Sequence, residues 1–232
     1  MKKYLIEFIG TFFLVAVICL TNGNYLAPIA VGFLLTAIIY MGYSVSGAHY
    51  NPVTTLAVLI LRKISLKESL IYILIQFIAG CAGALTYFFI WGRNSGTPRP
   101  NMDINIMKPL FIEAIFTFIM ILVILYVAAS KRTAGNSYYG LAIGLTVTGI
   151  AIAGGQISGA AFNPSVAFGP MLIDKLLGTC TCNPFEYGWI YFAGPIAGSV
   201  IAALTFRFLS PEDIGRNSPA DIADTRRSHD GE

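Results

Sequence analysis

Charge is scarce in this sequence. Only 12% of its 232 residues are Asp, Glu, Lys or Arg, against about a quarter in a soluble domain. Histidine occurs twice, at His49 and His229, and cysteine four times. Cys180 and Cys182, in the loop "GTCTCNP", have no further ligands near them, so no metal site is expected. The one residue between them disfavours a mutual disulfide. The chain also has no nucleophile paired with a base and no phosphate-binding loop. It does not read as an enzyme, no cofactor is expected, and nucleic acid is not an expected partner.

Apolar residues take the place of charge. They make up 56% of the chain and fall in uncharged runs long enough to cross a hydrocarbon core of about 30 Å. Runs of this length mean helices, because backbone groups in lipid must be satisfied within their own segment. Six spans are predicted, at 4–21, 26–45, 68–91, 108–129, 137–156 and 187–209. The first follows Lys2 and Lys3 but holds Glu7 and lacks a small-residue cleavage site, so it is read as a retained helix. Two apolar pieces, 52–61 and 164–173, are too short to span. With the N-terminus in the cytoplasm, Lys2, Lys3, Arg62, Lys63, Lys67, Lys131, Arg132, Arg207 and the tail arginines lie inside, and only Arg93, Arg99, Lys108 and Lys175 lie outside. The positive-inside rule then places both termini in the cytoplasm of a multi-pass cell-membrane protein. Residues 210–232 are polar and are expected to form a disordered tail.

The chain repeats itself. A shift of 112 lays "AVGFLLTA" (30–37) on "AIGLTVTG" (142–149) and Asn51 on Asn163; a shift of 106 lays "EFIGTF" (7–12) on "EAIFTF" (113–118); a shift of 118 lays "IAG" (78–80) on "IAG" (196–198). Repeat one covers about 1–91 and repeat two about 108–209. Three spans in each half make the repeats inverted, related by a pseudo-twofold axis in the membrane plane.

Inside each repeat stands a nearly identical stretch, "SGAHYNP" at 46–52 and "SGAAFNP" at 158–164. Proline is favoured at the first position of a helix and asparagine at its N-cap. Pro52 and Pro164 therefore start two half-helices, capped by Asn51 and Asn163 and entering from opposite faces. The irregular backbone before them is tolerated at that depth only where it lines a water-filled cavity or is buried in protein. Its carbonyls become acceptors, the asparagine amides donors, and each N-terminus adds roughly half a positive charge at the midpoint. Such a path suits neutral solutes and opposes cations and hopping protons.

These stretches, with "EFIGTFFLV" and "EAIFTFIMIL", resemble the aquaporins, the major intrinsic protein family, over about 1–209. The resemblance implies an all-α membrane protein with six tilted helices, two re-entrant half-helices, one pore per subunit and a homotetramer in the lipid bilayer. The usual Asn-Pro-Ala is here Asn51-Pro52-Val53 and Asn163-Pro164-Ser165. Carried over by alignment, the family's outer constriction falls on Val31, Ala151, Ala160 and Val166. Most members place arginine at the Val166 position, and water-selective members favour histidine at Ala151 and an aromatic at Val31. The constriction is expected to be wider and less polar than usual. Ala167 replaces the acidic residue of glycerol-conducting members, while Tyr191-Phe192 resembles the aromatic pair of the water type. Water is the expected substrate, with hydrogen peroxide, ammonia, urea or uncharged metalloid acids as further candidates and a glycerol-type facilitator as the alternative.

Glu7 and Glu113 are intramembrane carboxylates, a pattern that also occurs at ion-coupling sites; the resemblance favours support of the half-helix loops. His49 is either a pH-sensitive gate or a loop support, with support preferred. Gly80, Gly83, Gly194 and Gly198 suggest close helix packing. An ion-coupled transporter and a non-conducting member of the family remain the competing readings.

Overall fold

The computed structural model describes residues 1–92, 94, 96–179 and 183–215. Arg93, Cys180, Cys182 and the tail from 216 onward lie outside the described residues. The elements are α1 (Lys2–Leu20), α2 (Ala27–Ser46), α3 (Pro52–Ile60), α4 (Leu66–Trp91), α5 (Met107–Ile124), α6 (Tyr139–Ser158), α7 (Pro164–Leu177) and α8 (Ile190–Leu209). A wider π turn, Leu125–Ala129, prolongs α5. Six of these helices, α5 counted with its π turn, are long and apolar enough to cross a membrane, with mean hydropathy of 1.6 to 2.7. The 9 residues of α3 and 14 of α7 reach only roughly 14 and 21 Å at 1.5 Å per residue, short of the hydrocarbon core.

Large apolar side chains on the outer surface fit a lipid solvent: Phe89 is 88% and Phe208 83% exposed. An even number of crossings brings Lys2 and Leu209 to one face, called here the terminal face. The loop 21–26 and the linker residues 96–106 lie at the opposite face.

The repeats interlock. Within repeat one α1 packs on α4, and within repeat two α5 packs on α8. Between repeats, α2 crosses α6, α3 packs on α8, and α7 packs on α4. The α2–α6 crossing needs glycine on both sides. A Cβ on Gly32 would sit 2.7 Å from the Gly144 carbonyl oxygen, and one on Gly144 would sit 2.5 Å from that of Gly32. Thr36 and Thr148 turn their hydroxyls back to these two carbonyls at 2.9 and 3.0 Å. Each half-helix therefore rests on the other repeat's last span, so neither repeat completes its loop alone.

Two expectations change. The second short piece was expected to end near 173, but α7 runs to Leu177. Its charge at Asp174 is buried and accepts the Thr97 hydroxyl at 2.6 Å, so it does not mark a solvated end. The tail was expected to begin at 210, but Ser210–Gly215 is docked. Asp213 is fully buried, and the Gly215 amide donates to the Leu61 carbonyl at 2.9 Å.

Candidate functional site

Both quoted stretches fold through the same backbone. Gly47 and Gly159 end α2 and α6 with φ of 86° and 89°; Ala48 and Ala160 follow at 51° and 52°, and Tyr50 and Phe162 at 49° and 47°. Left-handed backbone at four non-glycine residues costs energy at each, so the surroundings must hold it. Two buried carboxylates do so. Glu7 accepts from the Ser46 hydroxyl at 2.6 Å and from the His49 and Tyr50 amides at 2.9 and 2.8 Å. Glu113 accepts from the Ser158 hydroxyl at 2.7 Å and from the Ala161 and Phe162 amides at 3.1 and 2.8 Å.

The half-helices start where the sequence placed them. Asn51 and Asn163 adopt extended backbone, and each side-chain oxygen caps its own helix, at the Val53 and Ser165 amides, both at 3.0 Å. Capping fixes the orientation of each carboxamide. The NH2 end of Asn51 then donates to the Phe162 carbonyl at 3.1 Å, and that of Asn163 to the Tyr50 carbonyl at 3.0 Å. Each amide nitrogen carries two protons, so one remains for the space between the caps.

That space is part of a cavity of about 510 Å³. Asn51 and Asn163 line it, and so do Val31, Ala151, Ala160, Val166 and His49. It reaches from Asn22 and Asn24 at the opposite face to Tyr43 and Ala128 near the terminal face. Pro52 and Pro164 are buried at the helix starts. Its described lining includes neither Glu7 nor Glu113, both of which are wholly buried behind the loops.

Sequence reading missed the partners that complete these loops. Tyr72 donates to the Ser46 carbonyl at 3.0 Å, and Tyr191 to the Ser158 carbonyl at 2.5 Å. Gln76, wholly buried, donates to Glu7 at 2.9 Å and to the Thr55 hydroxyl at 3.1 Å. The Thr55 hydroxyl lies 3.3 Å from the Asn51 carbonyl and 3.0 Å from His49 Nδ1, so the His49 ring is tied to the start of α3. Repeat two has Ala161 and Ala167 at the equivalent positions, so this polar network belongs to one half only.

The contacts also correct the alignment of the last span in each repeat. Tyr72 and Tyr191 do the same work, and Gly80 lies against Ser165 where Ser199 bonds the Val53 carbonyl. Both pairs are related by a shift of 119, one more than the "IAG" match indicated.

The model of the family described as Major intrinsic protein matches residues 1–206. The chain belongs to the major intrinsic protein family. Aquaporin AqpM of Methanothermobacter marburgensis is 31% identical, and the probable aquaporin AqpM of Archaeoglobus fulgidus 34%; each match covers 91% of this chain and 98% of the relative. Glycerol uptake facilitator protein-like 6 of Lactiplantibacillus plantarum is 32% identical over 92% of this chain and all of its own length. The fold matches the aquaglyceroporin of Plasmodium falciparum with a TM-score of 0.79 at 24% identity, covering 91% of this chain and 97% of that one. Three spans and one half-helix are followed by three spans and one half-helix in the inverted orientation, making a multi-pass membrane protein.

Proposed function

We propose that this major intrinsic protein is a passive channel for water and other small uncharged solutes. The observation that carries the reading is the placement of both asparagine caps on one cavity, each held by the other repeat's loop. A solute at the caps meets amide donors, and the exposed carbonyls of the loops serve as acceptors. A cation there meets two helix N-termini, each equivalent to roughly half a positive charge. Water held by two fixed donors cannot turn to relay a proton.

Four small apolar positions shape the path toward the opposite face. Val31, Ala151, Ala160 and Val166 form the constriction toward the opposite face, without the arginine donor common in the family. Gly155 widens this end further, since a Cβ there would have nothing within 4 Å. Water, hydrogen peroxide, ammonia, urea and uncharged metalloid acids fit an opening of this kind. The likeness to a glycerol uptake facilitator-like protein favours glycerol-sized solutes as the second reading.

Glu7 and Glu113 serve as loop supports rather than ion sites. Each takes hydrogen bonds on both oxygens, and neither reaches the cavity lining. His49 holds its loop through Thr55. The terminal face, which carries Lys2, Lys3, Arg62, Lys63, Lys67, Lys131, Arg132 and Arg207, is the cytoplasmic one. Four copies assemble in the cell membrane, as the family resemblance implies.

Uptake of labelled urea and glycerol into proteoliposomes, with and without a proton or sodium gradient, tests the reading. Uptake that follows the solute gradient alone supports a channel. Uptake that needs either ion gradient supports a transporter instead.

A further inference from the structure

We propose that Tyr43 sets the solute-size limit of this conduit at its terminal-face mouth, and that Asp213 positions Tyr43 through the end of α5. The proposal rests on the channel reading above.

Toward the opposite face, the cavity is lined by valine, alanine and glycine at the constriction positions. Toward the terminal face its lining includes Ile39, Tyr43, His49, Ile124, Ala128 and Ile143. Tyr43 is the bulkiest of these. Its hydroxyl donates to the Ala128 carbonyl across the mouth. Its ring lies 4.5 Å, centroid to centroid, from that of Tyr139. A tyrosine held at its tip and along its face cannot swing aside as a free side chain would.

The Ala128 carbonyl is open to Tyr43 because α5 ends in a π turn. The carbonyls of such a last turn lack helical partners, and here side chains replace them. Thr133 donates to Tyr126, the Asn136 amide to Val127 at 2.7 Å, and Tyr43 to Ala128. A π turn next to a functional wall is a common pairing.

Asp213 fastens the end of that turn. Its carboxylate accepts the Ser130 hydroxyl at 2.6 Å and the Lys131 amide at 2.8 Å. Arg132 pairs with Glu212 at 2.7 Å, and the Gly215 amide bonds the Leu61 carbonyl just past α3. Residues 210–215 thus tie the end of α5 in repeat two to the end of α3 in repeat one. Lys63 is close by, its ammonium pushed below the ordinary lysine range by burial, with Asp213 opposing and Lys131 adding to the shift.

Stopped-flow permeabilities to water, urea and glycerol, measured on proteoliposomes of the full chain, test this. Tyr43→Ala is expected to raise the glycerol-to-water ratio several-fold. Tyr43→Phe, which keeps the ring but loses the latch, is expected to fall between it and the parent. Asp213→Asn should raise the ratio in the parent and add nothing in the Tyr43→Ala background. A merely structural role for Asp213 would instead give additive effects, and additivity overturns the positioning claim. An unchanged ratio in Tyr43→Ala, with a lowered one in Val166→Phe, puts the limit at the opposite mouth and overturns the proposal. If folded parent and Tyr43→Ala both match empty vesicles, the channel reading fails and takes this proposal with it.

Discussion

The carboxamide of Asn51 donates to the Phe162 carbonyl at 3.1 Å, and that of Asn163 donates to the Tyr50 carbonyl at 3.0 Å. Each asparagine thus caps its own half-helix with its oxygen and tethers the other repeat's loop with its nitrogen. The two bonds cross the pseudo-twofold axis, so a change at either asparagine is felt in both halves.

Asn51→Asp keeps the cap but replaces the donor with an acceptor facing the Phe162 carbonyl. A buried hydrogen bond becomes a repulsion between lone pairs, so a loss of about 1–3 kcal/mol is expected. Thermal unfolding in detergent should show it, and Asn163→Asp should behave alike. Unchanged unfolding in both variants would mean that the cross-repeat bonds contribute nothing.

Glu7→Gln and Glu113→Gln each force an amide NH2 against a loop N–H, because both carboxylate oxygens are engaged in both repeats. Each variant should lose about 1–3 kcal/mol through one broken buried bond. Because the loops hold left-handed residues in place, water flux should fall with stability. Full stability together with loss of ion-gradient-driven uptake would instead mark these residues as coupling sites.

Gly80→Ala places a methyl group 2.6 Å from the Ser165 backbone oxygen, where α4 meets α7. Backbone cannot yield as a flexible side chain does, so destabilisation at or above the usual overpacking range of about 1–3 kcal/mol is expected. Gly149→Ala has nothing within 4 Å of its Cβ and should be neutral or stabilising by about 0.5–1 kcal/mol. Unfolding midpoints of the two variants should therefore move in opposite directions or differ sharply.

Val166→Arg adds a long cationic side chain to the wall that Val31, Ala151 and Ala160 share. Flux of urea and glycerol should drop more than flux of water. If neither solute is affected, Val166 does not border the constriction.

The half-helices were readable from sequence because their signals are local: an Asn-Pro pair after small residues carries its own cap and its own start. The inverted repeat was readable because Glu7 and Glu113 anchor it among apolar residues. The last span of each repeat was misaligned by one residue, since small residues recur by chance in apolar helices and the matching contacts of Tyr72 and Tyr191, and of Gly80 and Ser199, settle the register. Asp213 was hidden for a different reason. In sequence it sits in a polar stretch, and its partners Ser130 and Lys131 are 83 and 82 residues away. The π turn after Ile124 was hidden as well: Thr133 and Asn136 of the following loop and the distant Tyr43 take its free carbonyls.

The most direct measurement combines osmotic shrinkage with a trapped pH dye in the same proteoliposomes. The opposed asparagine caps should let water leave far faster than from empty vesicles while an imposed pH gradient persists. Shrinkage at the rate of empty vesicles, or a pH gradient that collapses with the water flux, would contradict the account.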